Sequence, residues 1–247
     1  MDINMMDVAP LNHRQRHETP WHAHPTGQLY WLQRGMIIIE TDTAQWPITP
    51  GSVGWIPEHC SHKATILAAV QGFILHFDAA DAVEFPQLPG VYGVNPFLSA
   101  LMDRATRLTA ADYPPDYFSH WLVLFGYELM RLQRLPVGLP LPSDRRARRI
   151  ADQLLNSPST DLTQAQLAAH SGVSVRTLSR IFIRETGLTF SQWRQQSKLV
   201  ISLKWLLAGC TISDVAERSG YGNVSAYIEV FRHRFGETPG KFQAKLG

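Results

Sequence analysis

The chain has 247 residues, 45% of them hydrophobic and 18% charged, which suits one large domain or two smaller ones and excludes a disordered polymer. No apolar run reaches the roughly 18 residues of a membrane span, MDINMMDVAPLNHRQRHE at the start has no signal-peptide core, and two distant cysteines, Cys60 and Cys210, point to a reducing cytoplasm rather than a disulfide framework. The net charge of +2 hides an asymmetry: residues 1–143 carry 8 Lys+Arg against 13 Asp+Glu and residues 144–247 carry 15 against 8, so the second stretch is the one suited to a polyanion.

From Gln28 to Asp78 the pattern is one of short strands broken by turns. GQLYWLQ and MIIIET flank Arg34-Gly35, TPGS separates QWPI from VGWIP, and ATI and VQGFILHFD follow. Such spacing predicts an antiparallel sandwich or barrel over residues 1–92. Beyond FPQLPG the period changes. NPFLSALMDRATRLTA opens on an Asn-Pro helix start, and PDYFSHWLVLFGYELMRLQRL places Trp121, Leu122, Phe125, Leu129 and Leu132 at helical spacing. Residues 93–135 thus read as a helical segment. Packed against a second copy, it would hide Trp121, Phe125 and Leu129 in a homodimer; packed on the barrel, it would hide them there.

PVGLPLPSD, with three prolines in nine residues, reads as a short stiff linker over 136–143. Residues 144–247 read as helix in short pieces and contain an internal repeat. Ala168, Ser171 and Gly172 recur 48 positions later as Ala216, Ser219 and Gly220; Phe182, Gly187 and Thr189 recur 49 positions later as Phe231, Gly236 and Thr238. Two similar units, near 163–185 and 211–235, are joined by a long helix near 190–208.

Each unit reads as a helix-turn-helix. In the first, Ser174 is the expected N-cap of the second helix, Leu178, Ile181 and Phe182 its buried stripe, and Arg176, Ser179 and Arg180 its outer face. In the other unit, Asn223 is the expected N-cap, Tyr227, Val230 and Phe231 the buried face, and Val224, Ser225, Ile228 and Glu229 the outer one. Arginine on such a face can pair bidentately with guanine, and Glu229 could accept from cytosine N4. Arg232 and Arg234 are expected on the DNA backbone. SGVSVRTLSRIFIRETGLTFSQW and SGYGNVSAYIEVFRHRFGETPGKF, in this order and separation, resemble the AraC/XylS family of transcription regulators over about 100 residues. The resemblance implies recognition helices in successive major grooves of double-stranded promoter DNA, with RNA polymerase as a further partner. On the family pattern Arg176, Ser179 and Arg180 read bases in the first unit, and Val224, Ser225, Ile228 and Glu229 in the second. The family often has a basic residue at the place of Glu229.

Seven of the ten histidines lie at or before His76. In PWHAHPTGQLYWLQRG, a regular strand would turn His22, His24 and Gln28 to one side. PGSVGWIPEHCSHK brings His62 from a later turn. The two stretches resemble the motifs of the cupin barrel, with His22, His24, Gln28 and Gly35 at the places of the first and Gly51, Pro57 and His62 at those of the second. That resemblance implies a site for a divalent transition metal on His22, His24 and His62. The departure is Gln28, a neutral oxygen donor where the cupin pattern has a carboxylate. Three readings stay open: a pocket for an organic effector, a metal site, and buried structural histidines. His13, His17, His59 and His76 add possible ligands, although the plainer reading assigns His13 and His17 to a surface arm, His59 to a loop and His76 to the sheet. Trp21, Tyr30, Trp31, Trp46 and Trp55 are either pocket lining or core, and alternation keeps Tyr30 and Trp31 off the same face.

The expected molecule is α+β with two domains: a cupin-like antiparallel barrel followed by helices, then an all-helical tandem helix-turn-helix domain. It is expected to be a cytoplasmic one-component regulator, not an enzyme. The whole pattern is most similar to the nitroimidazole-resistance subgroup of the AraC/XylS family, which implies control of an adjacent efflux or transport gene. The rivals are a metal-dependent cupin enzyme and a dedicated metal-responsive regulator.

Overall fold

The computed structural model describes residues 6–78, 84–107, 114 and 116–246. The chain forms two compact units, one of residues 1–39 and 48–136, the other of residues 40–47 and 137–247.

In the first unit β1 (Met6–His13), β8 (Val70–Phe77), β3 (Gly27–Arg34), β6 (Ser52–Ile56) and β9 (Gly90–Gly93) make one antiparallel sheet in that order. The short strands β4 (Ile37–Glu40), β7 (Lys63–Ile66) and β2 (His17–Glu18) belong to a second sheet. Pleating divides β3 between two environments. Leu29 and Trp31 enter an apolar cluster with Val53, Trp55, Leu75 and Phe77. Gln28 and Tyr30 are turned the other way and are buried as well, at 2% and 4% exposure. A strand covered on both faces reads as a continuous apolar run, so Tyr30 and Trp31 are both interior without sharing a face.

The apolar face is covered by α1 (Pro96–Ala105) and α2 (Tyr117–Arg131). Helix α1 starts where its sequence directs: Pro96 stands in the first turn and the Asn95 side chain accepts from Leu98 N–H at 2.7 Å. Trp121, Phe125 and Leu129 are buried beside Phe77, with the Phe77 and Phe125 rings 5.2 Å apart. This corrects the expectation that a twin would hide these three. The sheet offers its own apolar face, so α2 spends its main stripe inside its own unit and leaves Leu124, Tyr127 and Met130 exposed.

In the second unit, β5 (Ala44–Ile48) pairs antiparallel with β10 (Leu139–Pro140). Seven helices follow: α3 (Arg145–Asn156), α4 (Gln164–His170), α5 (Val175–Thr186), α6 (Phe190–Leu207), α7 (Ile212–Arg218), α8 (Val224–Phe235) and α9 (Pro239–Leu246). Reciprocal capping boxes start α4 (Thr163 with Gln166) and α6 (Thr189 with Gln192). Gly172 and Gly220 turn the chain between the helices of each repeat at φ of 68° and 71°, a region that a Cβ disfavours. Leu178, Ile181 and Phe182 of α5 share a core with Trp193 and Val200 of α6. Tyr227 and Phe231 of α8 are buried, and the Tyr227 hydroxyl donates to Ser202 of α6 at 3.0 Å. Val230, expected on that face, is half-buried.

Candidate functional site

The two repeats present α5 and α8 in equivalent settings. Ser174 caps α5, its hydroxyl accepting from Thr177 N–H at 3.1 Å, and Asn223 caps α8 through Ala226 N–H at 2.8 Å. Arg176 and Arg180 are exposed on α5, one turn apart. Ser179 lies between them, half-buried, and accepts from the Gln164 amide of α4 at 2.8 Å. On α8, Ser225, Glu229 and Arg232 are exposed and Val224 and Ile228 half-exposed. Arg234 is not on this surface. Its guanidinium donates to the carbonyls of Val137 and Gly138 at 3.2 and 2.8 Å, and burial pulls its pKa down to about 10. The expectation of a phosphate contact at Arg234 is thereby corrected: in the last turn of α8 this position faces the chain's own linker.

In the first unit, His22 and His62 are joined backbone to backbone, N–H to O=C in both directions at 3.0 and 2.9 Å. That bridge sets their ring centroids 4.5 Å apart, and His24 lies 4.8 Å from His22 and 5.6 Å from His62. One ring nitrogen from each of the three falls within 4.8 Å of the others, a spacing that suits a single ion.

Second-layer bonds fix the tautomers of two of them. His22 Nδ1 lies 2.8 Å from the Pro20 carbonyl and His62 Nδ1 2.9 Å from the Cys60 carbonyl. A carbonyl only accepts, so each Nδ1 carries the proton and each Nε2 keeps its lone pair. His62 Nε2 is buried and has no hydrogen-bond partner. Burial holds the His24 imidazole below its usual pKa, reinforced by His22, His62 and His76 nearby. Burial also lowers His62, against the Cys60 bond that raises it, and His22 adds to the lowering. Both effects favour neutral rings, the form that ligates metal.

Gln28 lies beside this trio with its amide committed elsewhere. Its Oε1 accepts from the Tyr30 hydroxyl at 3.1 Å, and its Nε2 lies 3.4 Å from His76 Nδ1. His76, read from sequence as a sheet residue and one of four further possible ligands, stands opposite Gln28 in the β3–β8 register and 6.1 Å from the His24 ring. Its membership of the cluster depends on strand register, which residue spacing does not reveal. His13 and His17 stack on each other at 4.7 Å, and His59 sits in a loop at φ 57°. Of the aromatic candidates, Trp31 and Trp55 are core on the helix-covered face of the sheet and Trp46 belongs to the second unit. Trp21 is exposed, with the Lys63 ammonium 5.6 Å from its ring. Tyr30 reaches the site through Gln28, and burial raises its phenol so that it stays a neutral donor.

Among the described residues no helix is long and apolar enough to cross a membrane. Residues 8–113 match the AraC-like ligand binding domain, and residues 167–245 match a helix-turn-helix domain. The HTH-type transcriptional regulator NimR of Escherichia coli K12 is 31% identical over 229 residues, covering 92% of this chain and 83% of that protein. The HTH-type transcriptional regulator RipA of Corynebacterium glutamicum is 36% identical over 226 residues, 88% of this chain and 62% of its own length. The transcriptional activator NphR of a Rhodococcus species is 33% identical over 106 residues, which cover 41% of this chain and 31% of that protein. A ligand-binding half in front of a tandem helix-turn-helix half, alignable with NimR almost end to end, makes this chain a member of the AraC family of DNA-binding, effector-responsive transcription regulators.

Proposed function

We propose that this regulator is switched by a divalent transition metal held by His22, His24 and His62. The observation that carries the reading is the buried, partnerless Nε2 of His62. It stands among two more imidazoles, at a spacing one ion can span, and a buried acceptor with no partner is costly unless something fills the site. Three imidazoles suit Zn²⁺, Ni²⁺ or Fe²⁺ and leave coordination positions for water or a further ligand. The protein works in the cytoplasm as a homodimer, and the exposed Leu124, Tyr127 and Met130 of α2 supply the apolar face for that pairing. Arg176, Ser179 and Arg180 of α5 and Val224, Ser225, Ile228, Glu229 and Arg232 of α8 meet successive major grooves of promoter DNA, with Ser174 and Asn223 holding the helix starts. RNA polymerase is the further partner, and an adjacent efflux or transport gene the target.

Metal must bind one DNA-competent arrangement more tightly than the other to act as an effector. The test is metal content of purified full-length protein, with promoter affinity measured before and after chelation. One metal per chain and an affinity that changes on chelation are expected, and both vanish in His22→Ala/His62→Ala. Metal-free protein whose DNA affinity ignores added Zn²⁺ and Ni²⁺ overturns the reading and leaves an organic effector for the same site.

A further inference from the structure

The segment 137–144 is more than a spacer. It runs as an extended strap within the second unit, and its backbone is held at successive points. Leu139 and Pro140 pair with Gln45 and Ala44, and Leu141 N–H donates to the Thr43 carbonyl at 2.7 Å. The Trp193 indole of α6 donates to the Pro140 carbonyl at 2.6 Å. Gly138 admits the Trp46 ring so closely that a Cβ would lie 2.4 Å from Nε1.

The two ends of the strap are held by the two recognition helices. At one end the Arg234 guanidinium of α8 takes the carbonyls of Val137 and Gly138. At the other, Glu185 Oε2 of α5 accepts from Ser143 N–H at 2.9 Å, Ser143 Oγ at 3.0 Å and Asp144 N–H at 2.9 Å. Burial opposes ionisation of Glu185, yet these donors and Arg184 hold its carboxyl below the usual range. Glu185 and Arg234 occupy the same place in the internal repeat. Each lies two residues before the glycine that ends its helix, Gly187 and Gly236, and those glycines are 49 positions apart like the residues themselves. One repeat position therefore carries an acceptor where the strap offers N–H groups and a donor where it offers carbonyls.

We propose that Glu185 and Arg234 are positioning residues that set the spacing and orientation of the two recognition helices by clamping opposite ends of the 137–144 strap. Neither residue reads a base. A protein that engages two grooves with two linked readers gains its affinity only when both fit at once, and a loose spacing forfeits that gain. The long helix α6 joins the repeats through their cores, whereas the strap bridges the C-terminal ends of α5 and α8 through Glu185 and Arg234.

The test uses the full chain and an operator selected in vitro against the wild type, together with its isolated half-sites and versions with one base pair added or removed between them. In Glu185→Ala and Arg234→Ala, full-site affinity is expected to fall roughly 10- to 100-fold. Half-site affinity is expected to stay unchanged, and the penalty for altered spacing to shrink. Arg234→Lys, which keeps a cationic donor, should recover part of the loss. Should Arg234→Ala fail to fold, a glycine inserted between Pro140 and Leu141 lengthens the strap without touching either clamp and should relax the spacing preference in the same way. Folded variants that keep wild-type full-site affinity and spacing dependence overturn the proposal. A parallel loss on half-sites overturns it too, because that pattern belongs to a damaged reader or a lost phosphate contact.

Discussion

Whether an imidazole is available to a ligand is decided by its other nitrogen. At His22 and His62 that nitrogen is occupied by the carbonyls of Pro20 and Cys60, which leaves Nε2 as the nitrogen each ring can offer a ligand. On α5 the corresponding question is which arginine reads and which only anchors. Arg180 is exposed one turn beyond Arg176, past a Ser179 whose hydroxyl is tethered to Gln164. Arg180→Ala should weaken specific binding by about 1–3 kcal/mol if it reads a guanine. Titration on operator and on random DNA checks this: an equal loss on both reduces Arg180 to a phosphate contact. The resemblance to the cupin motifs made His22, His24 and His62 visible as a set. It did not single out His76 from the other spare histidines, because His76 arrives through pairing of β3 with a strand nearly fifty residues away. Nor did it reveal the turn of Arg234 inward, since the carbonyls it takes lie almost a hundred residues earlier. Gln28 was legible as a departure from a carboxylate, but its commitment to Tyr30 and His76 was not.

Among the elements, α2 carries one apolar stripe inside the first unit and a second, exposed one. Its wide stripe of Trp121, Leu122, Phe125 and Leu129 closes the core of the first unit. Its narrower exposed face carries Leu124, Tyr127 and Met130. Helical periodicity announces the first stripe clearly but cannot say what covers it, which is why a sheet face and a twin were both open in the sequence. The separation makes the two roles testable apart. Leu124→Asp/Tyr127→Asp should leave the thermal midpoint of the dilute protein nearly unchanged while shifting sedimentation from dimer to monomer. A drop of several degrees in the midpoint with no change in mass would place these side chains in folding rather than pairing. The tandem units were the most legible elements of all. Capping residues, turn glycines and apolar spacing agree twice over, and the helices α4–α5 and α7–α8 occupy the stretches where those local signals coincide.

For the molecule as a whole, the second unit is discontinuous in sequence. Residues 40–47 belong to it although residues 48–136 intervene before its next segment begins. Their hold includes a partly buried ion pair, Arg148 to Glu40 at 2.6 Å, and a bond from the same guanidinium to the Asp42 carbonyl. Arg148 also reaches Asp152 on its own helix. Glu40→Ala in the full chain should cost about 1–3 kcal/mol, because it strips a charged hydrogen bond from a guanidinium only a quarter exposed. Denaturant melts should show this as a lower midpoint, and an unchanged midpoint would mean Asp152 and water replace the lost partner fully.

This discontinuity also sets an order of events at synthesis. When residues 40–47 leave the ribosome, the strand and helix they are to join have not been made. At about 5–20 residues per second, some five to twenty seconds pass before Leu139 and Arg148 follow. Through that interval the side of β5 that β10 will cover is an open edge, the kind that pairs with the wrong neighbour. Closing it requires a contact between Thr43 and Leu141, far apart along the chain, and such closures slow folding. The helical repeats, whose contacts are local, are expected to form quickly once made, so the late step in the maturation of this regulator is the joining of β10 to the early strand β5.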